Sequence, residues 1–114
     1  MSATGAPIHD RAEAIARLDG DESLYAEMVG MYIAECENYC RALEGALATG
    51  DAVAVRREAH TMKSLLATFS FESGRLLALQ LEQQGASGDL NGAAGLTAQV
   101  VAAARQLANA LAEG

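Results

Sequence analysis

The sequence predicts an all-α fold: an antiparallel up-down four-helix bundle with a short extra helix at its N-terminal end. Three observations predict it. Of the 114 residues, 51% are hydrophobic but only 4% aromatic, with no Trp and a single Pro, the profile of an Ala/Leu-rich helical chain rather than a sheet sandwich. No alternating strand-like run bounded by turn residues stands out. Apolar residues recur instead at spacings of three and four, in segments joined by only a few polar or glycine residues, and such short links favour antiparallel neighbours.

The elements follow in order. Residues 1–7 are small and polar enough to form a flexible tail, leaving 8–114 as one helical bundle domain. A short helix is expected over 8–18, with Ala12, Ile15 and Leu18 on one side, broken by Asp19-Gly20-Asp21. Asp21 is a suitable N-cap for a long second helix reaching Ala48, with Glu22 in its first turn complementing the helix dipole. Its stripe of Tyr25, Val29, Tyr32, Cys36, Tyr39, Leu43 and Leu47 faces inward. Gly50 ends that helix and Asp51 caps the third, expected over 52–69, whose core stripe is Ala52, Val55, Ala59, Met62, Leu66 and Phe69. Ser70 serves as a break before a fourth helix through Gln84 with Leu76, Leu77 and Leu81 inward. Gly85-Ala86-Ser87-Gly88 reads as a turn, and Asp89 as the cap of a last helix carrying Leu90, Ala93, Thr97, Val100, Ala104, Leu107 and Leu111.

Composition excludes several functions. A formal net charge of -7 argues against nucleic acid and anionic membrane as partners, since both require a positive footprint. There is no basic and apolar leader, and no apolar stretch approaches the roughly 20 residues needed to cross a bilayer, so a cytoplasmic protein is expected. Cys36 and Cys40 share a helix face, but Cys36 lies on the buried stripe and reads as a small hydrophobe. No metal-ligand pairing, CxxC, phosphate-binding glycine loop or nucleophile elbow accompanies them, so neither a metal site nor a cofactor of the protein's own is expected.

His60 is the candidate for chemistry. At about 100° per residue it lies roughly 130° from the centre of its helix's apolar stripe, which exposes the imidazole to water. Arg56, Arg57 and Lys63 surround it, three of the chain's eight Lys and Arg residues. Residues 1–51 carry ten acidic and three basic side chains, whereas 52–114 carry five of each, so the cluster is a local reversal of sign. Such cations favour a dianionic group on the ring and disfavour the imidazolium, which keeps one ring nitrogen available as a nucleophile. Ser64 and Ala67 are small and leave a flat surface for another protein to approach. No general base, oxyanion hole or nucleotide loop accompanies His60, so the chain reads as a phosphoryl acceptor served by the active sites of other proteins, and not as an enzyme.

The segment 57–82, with His60-Thr61-Met62-Lys63-Ser64 at its heart and Leu81-Glu82 downstream, resembles the histidine-containing phosphotransfer (HPt) domain family of two-component phosphorelays. The resemblance spans nearly the whole chain: Leu18-Asp19-Gly20-Asp21-Glu22, Ala48-Thr49-Gly50-Asp51 and Gly88-Asp89-Leu90 are similar to the family's helix entries and turns. It implies a four-helix bundle whose exposed histidine takes a phosphoryl group from the aspartyl phosphate of one receiver domain and passes it to the aspartate of another. In that picture His60 carries the group on its outer ring nitrogen, Lys63 neutralises it, and Glu82 orients the ring from the adjacent helix. Docking would fall to Arg56, Arg57, Ser64, Ala67 and Phe71. The implied partners are response-regulator receiver domains, which supply the Mg, together with a hybrid sensor kinase, and the protein itself is expected to be a monomer.

This chain departs from the family pattern at Ser64 and Ser70, where glycine is common, and Leu65, Leu66 and Phe69 make the stretch more apolar. With no ATP-binding or receiver domain in the sequence, a free-standing shuttle or a piece of a larger sensor kinase is expected. Two competing readings are a bundle that docks on a receiver domain without transferring anything, and a structural helical protein that dimerises through a patch involving Leu65 and Phe71. The first would tolerate loss of His60. The second would leave the basic cluster without a purpose.

Overall fold

The computed structural model describes residues 8–113, so the expected tail at 1–7 lies outside the described residues. The fold is all-helical: α1 (Arg11–Ala16), α2 (Glu22–Ala48), α3 (Ala52–Thr68), α4 (Glu72–Ser87) and α5 (Ala93–Ala112), with no strand among the described residues. No helix there is long and apolar enough to cross a membrane.

Three helices start on an aspartate whose carboxylate accepts from a backbone amide in the first turn: Asp10 from Glu13 at 3.0 Å, Asp21 from Leu24 at 2.9 Å and Asp51 from Ala54 at 3.1 Å. Each satisfies one of the donors that a helix start leaves open. Capping by Asp10 delays α1 relative to the expected start at residue 8, and the chain leaves that helix early through bonds from the Leu18 and Gly20 amides to the Ile15 carbonyl. Ala14 and Ile15, rather than Ala12, face the core. Asp89, expected to cap the last helix, instead accepts from the Asn91 amide at 2.9 Å in a local turn, and α5 begins only after Gly92, whose φ is +81°. At the other end of that link α4 continues through the segment expected to be a turn and stops at Gly88, also left-handed.

The helices pack in the cycle α2–α3–α4–α5–α2, with α1 against α2. The core is one cluster along this ring. At one end Phe69 meets the rings of Tyr25 and Tyr32 edge-on, at centroid distances of 6.0 and 5.4 Å. The Tyr32 hydroxyl donates to the Ala104 carbonyl at 2.8 Å, joining α2 to α5 inside the core. Cys40 is buried even more completely than Cys36. On α4 the inward face is Gly74, Ala78, Leu81 and Gly85, so Leu76, expected inside, is exposed on the opposite side. The small residues there admit α3 at close range, and α3–α4 is the most intimate pair of the fold.

The link from α3 to α4 is unusual. Ser70 takes a φ of +56°, a left-handed conformation that costs a side-chain-bearing residue about 1–2 kcal/mol. Arg17 holds it there: its guanidinium donates to the Ser70 hydroxyl at 2.7 Å, to the Ala67 carbonyl at 2.7 Å and to the Thr68 carbonyl at 3.1 Å, while Glu13 accepts from its other nitrogen at 3.2 Å. One side chain from the N-terminal segment thus caps the C-terminus of α3. Arg17→Ala should lower unfolding stability by about 1–3 kcal/mol, since hydrogen bonds from a charged donor are worth that much, whereas Arg11→Ala, which loses an exposed pair of 3.5 Å and a cation–π contact with the Tyr25 ring at 5.5 Å, should cost about 1 kcal/mol or less in the same urea titration.

Candidate functional site

His60 lies near the middle of α3 with its side chain 59% exposed. Val55, Ala59, Met62 and Leu66 of the same helix are buried, so the periodicity that fills the core also presents the imidazole to solvent. Across from it on α4, Glu82 follows directly after the buried Leu81. Its carboxylate bridges two side chains of α3: Oε2 is 2.8 Å from His60 Nδ1, and Oε1 is 2.7 Å from Lys63 Nζ. His60 and Lys63 are three residues apart and therefore neighbours on one helix face, both within reach of a single acceptor.

The electrostatics follow from this geometry. Hydrogen bonding from Lys63 holds the Glu82 carboxyl below the ordinary carboxylate range, opposed by partial burial and reinforced by the bond with His60 and by the charges of both partners. An ionised carboxylate only accepts, so the proton in the 2.8 Å contact belongs to His60 Nδ1. In the neutral imidazole that assignment leaves the lone pair on the other nitrogen, Nε2.

Around the ring, Arg56, Arg57, Thr61 and Val53 join His60 and Glu82 in lining an open cleft. Arg57 pairs with the adjacent Glu58 at 3.2 Å, whereas Arg56 makes no ion pair among the described residues. Ser64 is exposed one turn beyond His60 and Ala67 is half-buried. A second groove, largely apolar, runs between α2 and α3 beside Leu65 and is lined by Met28, Met31, Tyr39 and Thr68; Met31 is 67% exposed. The residues expected around His60 are therefore brought together, with one correction. Phe71 is only 2% exposed. The left-handed turn at Ser70 swings it inward against Gly74 and Leu66, so it belongs to the core and to neither a docking surface nor a dimerising patch.

Two features lie apart from this face. His9, the second histidine, lines a separate cleft with Asp10, Ser70 and Glu72. The ligand atoms of Cys36, Glu37 and Cys40 lie within 4.8 Å of one another. Burial raises both thiols, that of Cys40 to about 12, and Arg105 grips Glu37 through two bonds of 2.8 and 2.9 Å. Protonated thiols and an occupied carboxylate suit packing better than ligation.

Comparison with known proteins adds two findings. Residues 27–114 match the family model of the Hpt domain. Among solved structures, the chain is similar to the crystal structure of histidine-containing phosphotransfer protein B (HptB) from Pseudomonas aeruginosa PAO1, with 23% sequence identity, a TM-score of 0.85, and coverage of 96% of this chain and 95% of that one. At that identity the likeness is one of fold. No curated protein matches.

The lowered Glu82 carboxyl has a definite pH signature. Its contribution to stability is fully present above the unfolded carboxyl pKa near 4.5 and is lost as pH falls through the lower folded value. The stability gap between the native chain and Glu82→Gln, about 1–3 kcal/mol at neutral pH, should therefore narrow only in acid, below the ordinary carboxyl range. Urea titrations of both proteins between neutral pH and pH values below 4.5 measure this; a gap that closes already near neutrality would mean that Glu82 is not the ionised partner.

Proposed function

The chain belongs to the histidine-containing phosphotransfer domain family, and from that premise we propose that His60 is its phosphoryl carrier, taking the group from an aspartyl phosphate on one receiver domain and passing it to the aspartate of another. The observation that carries this reading is the bridging carboxylate: an exposed imidazole whose inner nitrogen is fixed by Glu82 at 2.8 Å and whose outer nitrogen is left free. The ring of packed helices α2–α5 supports the antiparallel up-down bundle on which such an exchange would be mounted.

The chemistry balances without an external base. The Nε2 lone pair attacks phosphorus in line with the aspartyl oxygen; the N–P bond forms, the P–O bond breaks, and the electron pair leaves on the aspartate carboxylate. No proton has to depart, because Nδ1 keeps the one it shares with Glu82. The substituted ring then carries a positive charge that the Glu82 carboxylate offsets. Lys63, paired with Glu82 before transfer, is one turn from His60 on the same helix and would help balance the incoming dianion. In the return direction the same groups act in reverse. The divalent cation that steadies the phosphoryl group in flight would be Mg held by the receiver domain.

Docking would use the surface on both sides of the ring. Arg56 and Arg57 present positive charge to an acidic, metal-binding pocket, and the groove of Met28, Met31 and Leu65 offers apolar area to a helix of the partner. Small, adaptable contacts of this kind suit a shuttle that must leave each partner quickly. A hybrid sensor kinase would engage the same face through its receiver domain. The chain would act as a monomer, because a second copy on this face would block the ring.

The deciding experiment presents the native chain and His60→Gln to receiver domains bearing radiolabelled aspartyl phosphate. Label on the native chain that is lost in acid, persists in alkali and is absent from His60→Gln is the expected result. A folded native chain that binds the receivers but takes no label would favour the docking module that transfers nothing. Arg56→Ala should slow acceptance by about threefold to tenfold at low salt and by clearly less at high salt; equal slowing at both would remove Arg56 from electrostatic steering.

A further inference from the structure

Glu82 meets His60 and Lys63 because α3 and α4 run very close together one turn away. A Cβ added at Gly85 would stand 2.7 Å from the Arg56 amide nitrogen, 2.9 Å from the Arg56 Cα and 3.0 Å from the Ala52 carbonyl oxygen. All three neighbours are backbone atoms, so no change of rotamer could relieve the contact. Gly85 follows Glu82 by three residues on α4, and Arg56 precedes His60 by four on α3. In antiparallel helices these two pairs occupy adjacent turns. Gly85 also sits inside α4, where its lack of a side chain works against helix formation.

We propose that Gly85 is a positioning residue for the reaction: its missing Cβ sets the α3–α4 separation at which the Glu82 carboxylate can grip the His60 ring and the Lys63 ammonium together. Ordinary contacts between heavy atoms settle at about 3.5–4.0 Å, so any side chain at residue 85 would push the backbones apart by several tenths of an ångström or more. A close-packed interface transmits such a shift instead of absorbing it. The 2.8 Å hydrogen bond would then lengthen beyond the roughly 3.2 Å at which hydrogen bonds fade, and the 2.7 Å ion pair would loosen with it. The second glycine of the pair behaves differently. At Gly74 a Cβ would meet the side chains of Phe71 and Leu66 at 3.0–3.2 Å and no backbone atom of α3, and it lies about two turns from Glu82 along α4. Spacing at the reactive histidine is thus governed at Gly85.

This inference rests on the reading of His60 as a phosphoryl carrier, and its test contains readouts independent of transfer. Gly85→Ala would be made in a background carrying Gly45→Ala and Gly95→Ala, two helical positions with open space around them, where alanine should raise stability and keep the variant folded. Nitrogen-15 NMR of the imidazole reports which ring nitrogen holds the proton, and carboxyl carbon-13 titration reports Glu82.

In the background protein the Nδ1–H form and the low titration of Glu82 should both persist. With Gly85→Ala the Glu82 carboxyl should titrate back toward its ordinary range, the Nδ1–H preference should weaken, and acceptance of label from a phosphorylated receiver should slow by about tenfold to a hundredfold, the usual effect of misplacing a reacting group by an ångström. A folded variant that keeps both NMR signatures overturns the proposal, and so does one that loses them yet transfers at the background rate. Failure of the native chain itself to take label would defeat the carrier reading, while the NMR signatures would still decide whether Gly85 holds Glu82 in place.

Discussion

The functional face depends on one carboxylate. Glu82 is only 16% exposed and yet charged, and it stays charged because an ammonium and an imidazole N–H, both from α3, converge on its two oxygens. Partial withdrawal from water makes each of those contacts stronger than an exposed pair would be, and makes the loss of either more costly. The arrangement holds the ring's orientation and, in the neutral imidazole, its tautomer together. It also holds a cation one helical turn from the histidine without leaving it unpaired. A histidine with the same exposure but no such partner would rotate freely and share its proton between both nitrogens.

That carboxylate depends in turn on how two helices are held in register. The α3–α4 pair carries both halves of the site, and three of the four inward positions of α4, Gly74, Ala78 and Gly85, are small. Close approach gives up side-chain burial in exchange for proximity of backbones. The remaining core compensates with large side chains: Phe69 against Tyr25 and Tyr32 at one end, and Leu43 and Leu107 fully buried elsewhere. The division leaves a rigid platform for the histidine, built on helices rather than loops, so that its position is set by packing.

The parts of this design that repeat with helical period were legible in the sequence. The α3 stripe from Val55 to Phe69 is buried as its spacing requires, and the exposure of His60 follows from the same arithmetic. Asp21 and Asp51 announced their helices because aspartate satisfies open amides at a helix start. What escaped was set by contacts between distant segments. Leu76 and Leu77 look equivalent in sequence, but the close α3 neighbour turns the Gly74, Ala78 and Gly85 face inward and leaves Leu76 outside. Phe71 looks like an exposed aromatic until the positive φ of Ser70 redirects the chain. Gly85 reads as part of a turn, since nothing local distinguishes a glycine that bends a chain from one that admits another helix. Arg17 gives no sign of its partners, because they lie some fifty residues away.

That last contact bears on where this folding unit can be cut. The family model begins at residue 27, and a segment excised there would keep His60, Glu82 and most of the four long helices. It would lack Arg17, and with it the donor that closes the end of α3 and steadies the left-handed Ser70. It would also lack Tyr25, one of the two rings flanking Phe69. Contacts that hold the end of α3 therefore come from outside the segment that the family model matches. Shuffling this module between signalling proteins, in nature or in the laboratory, would need to carry the residues from Asp10 onward as part of the same inheritance.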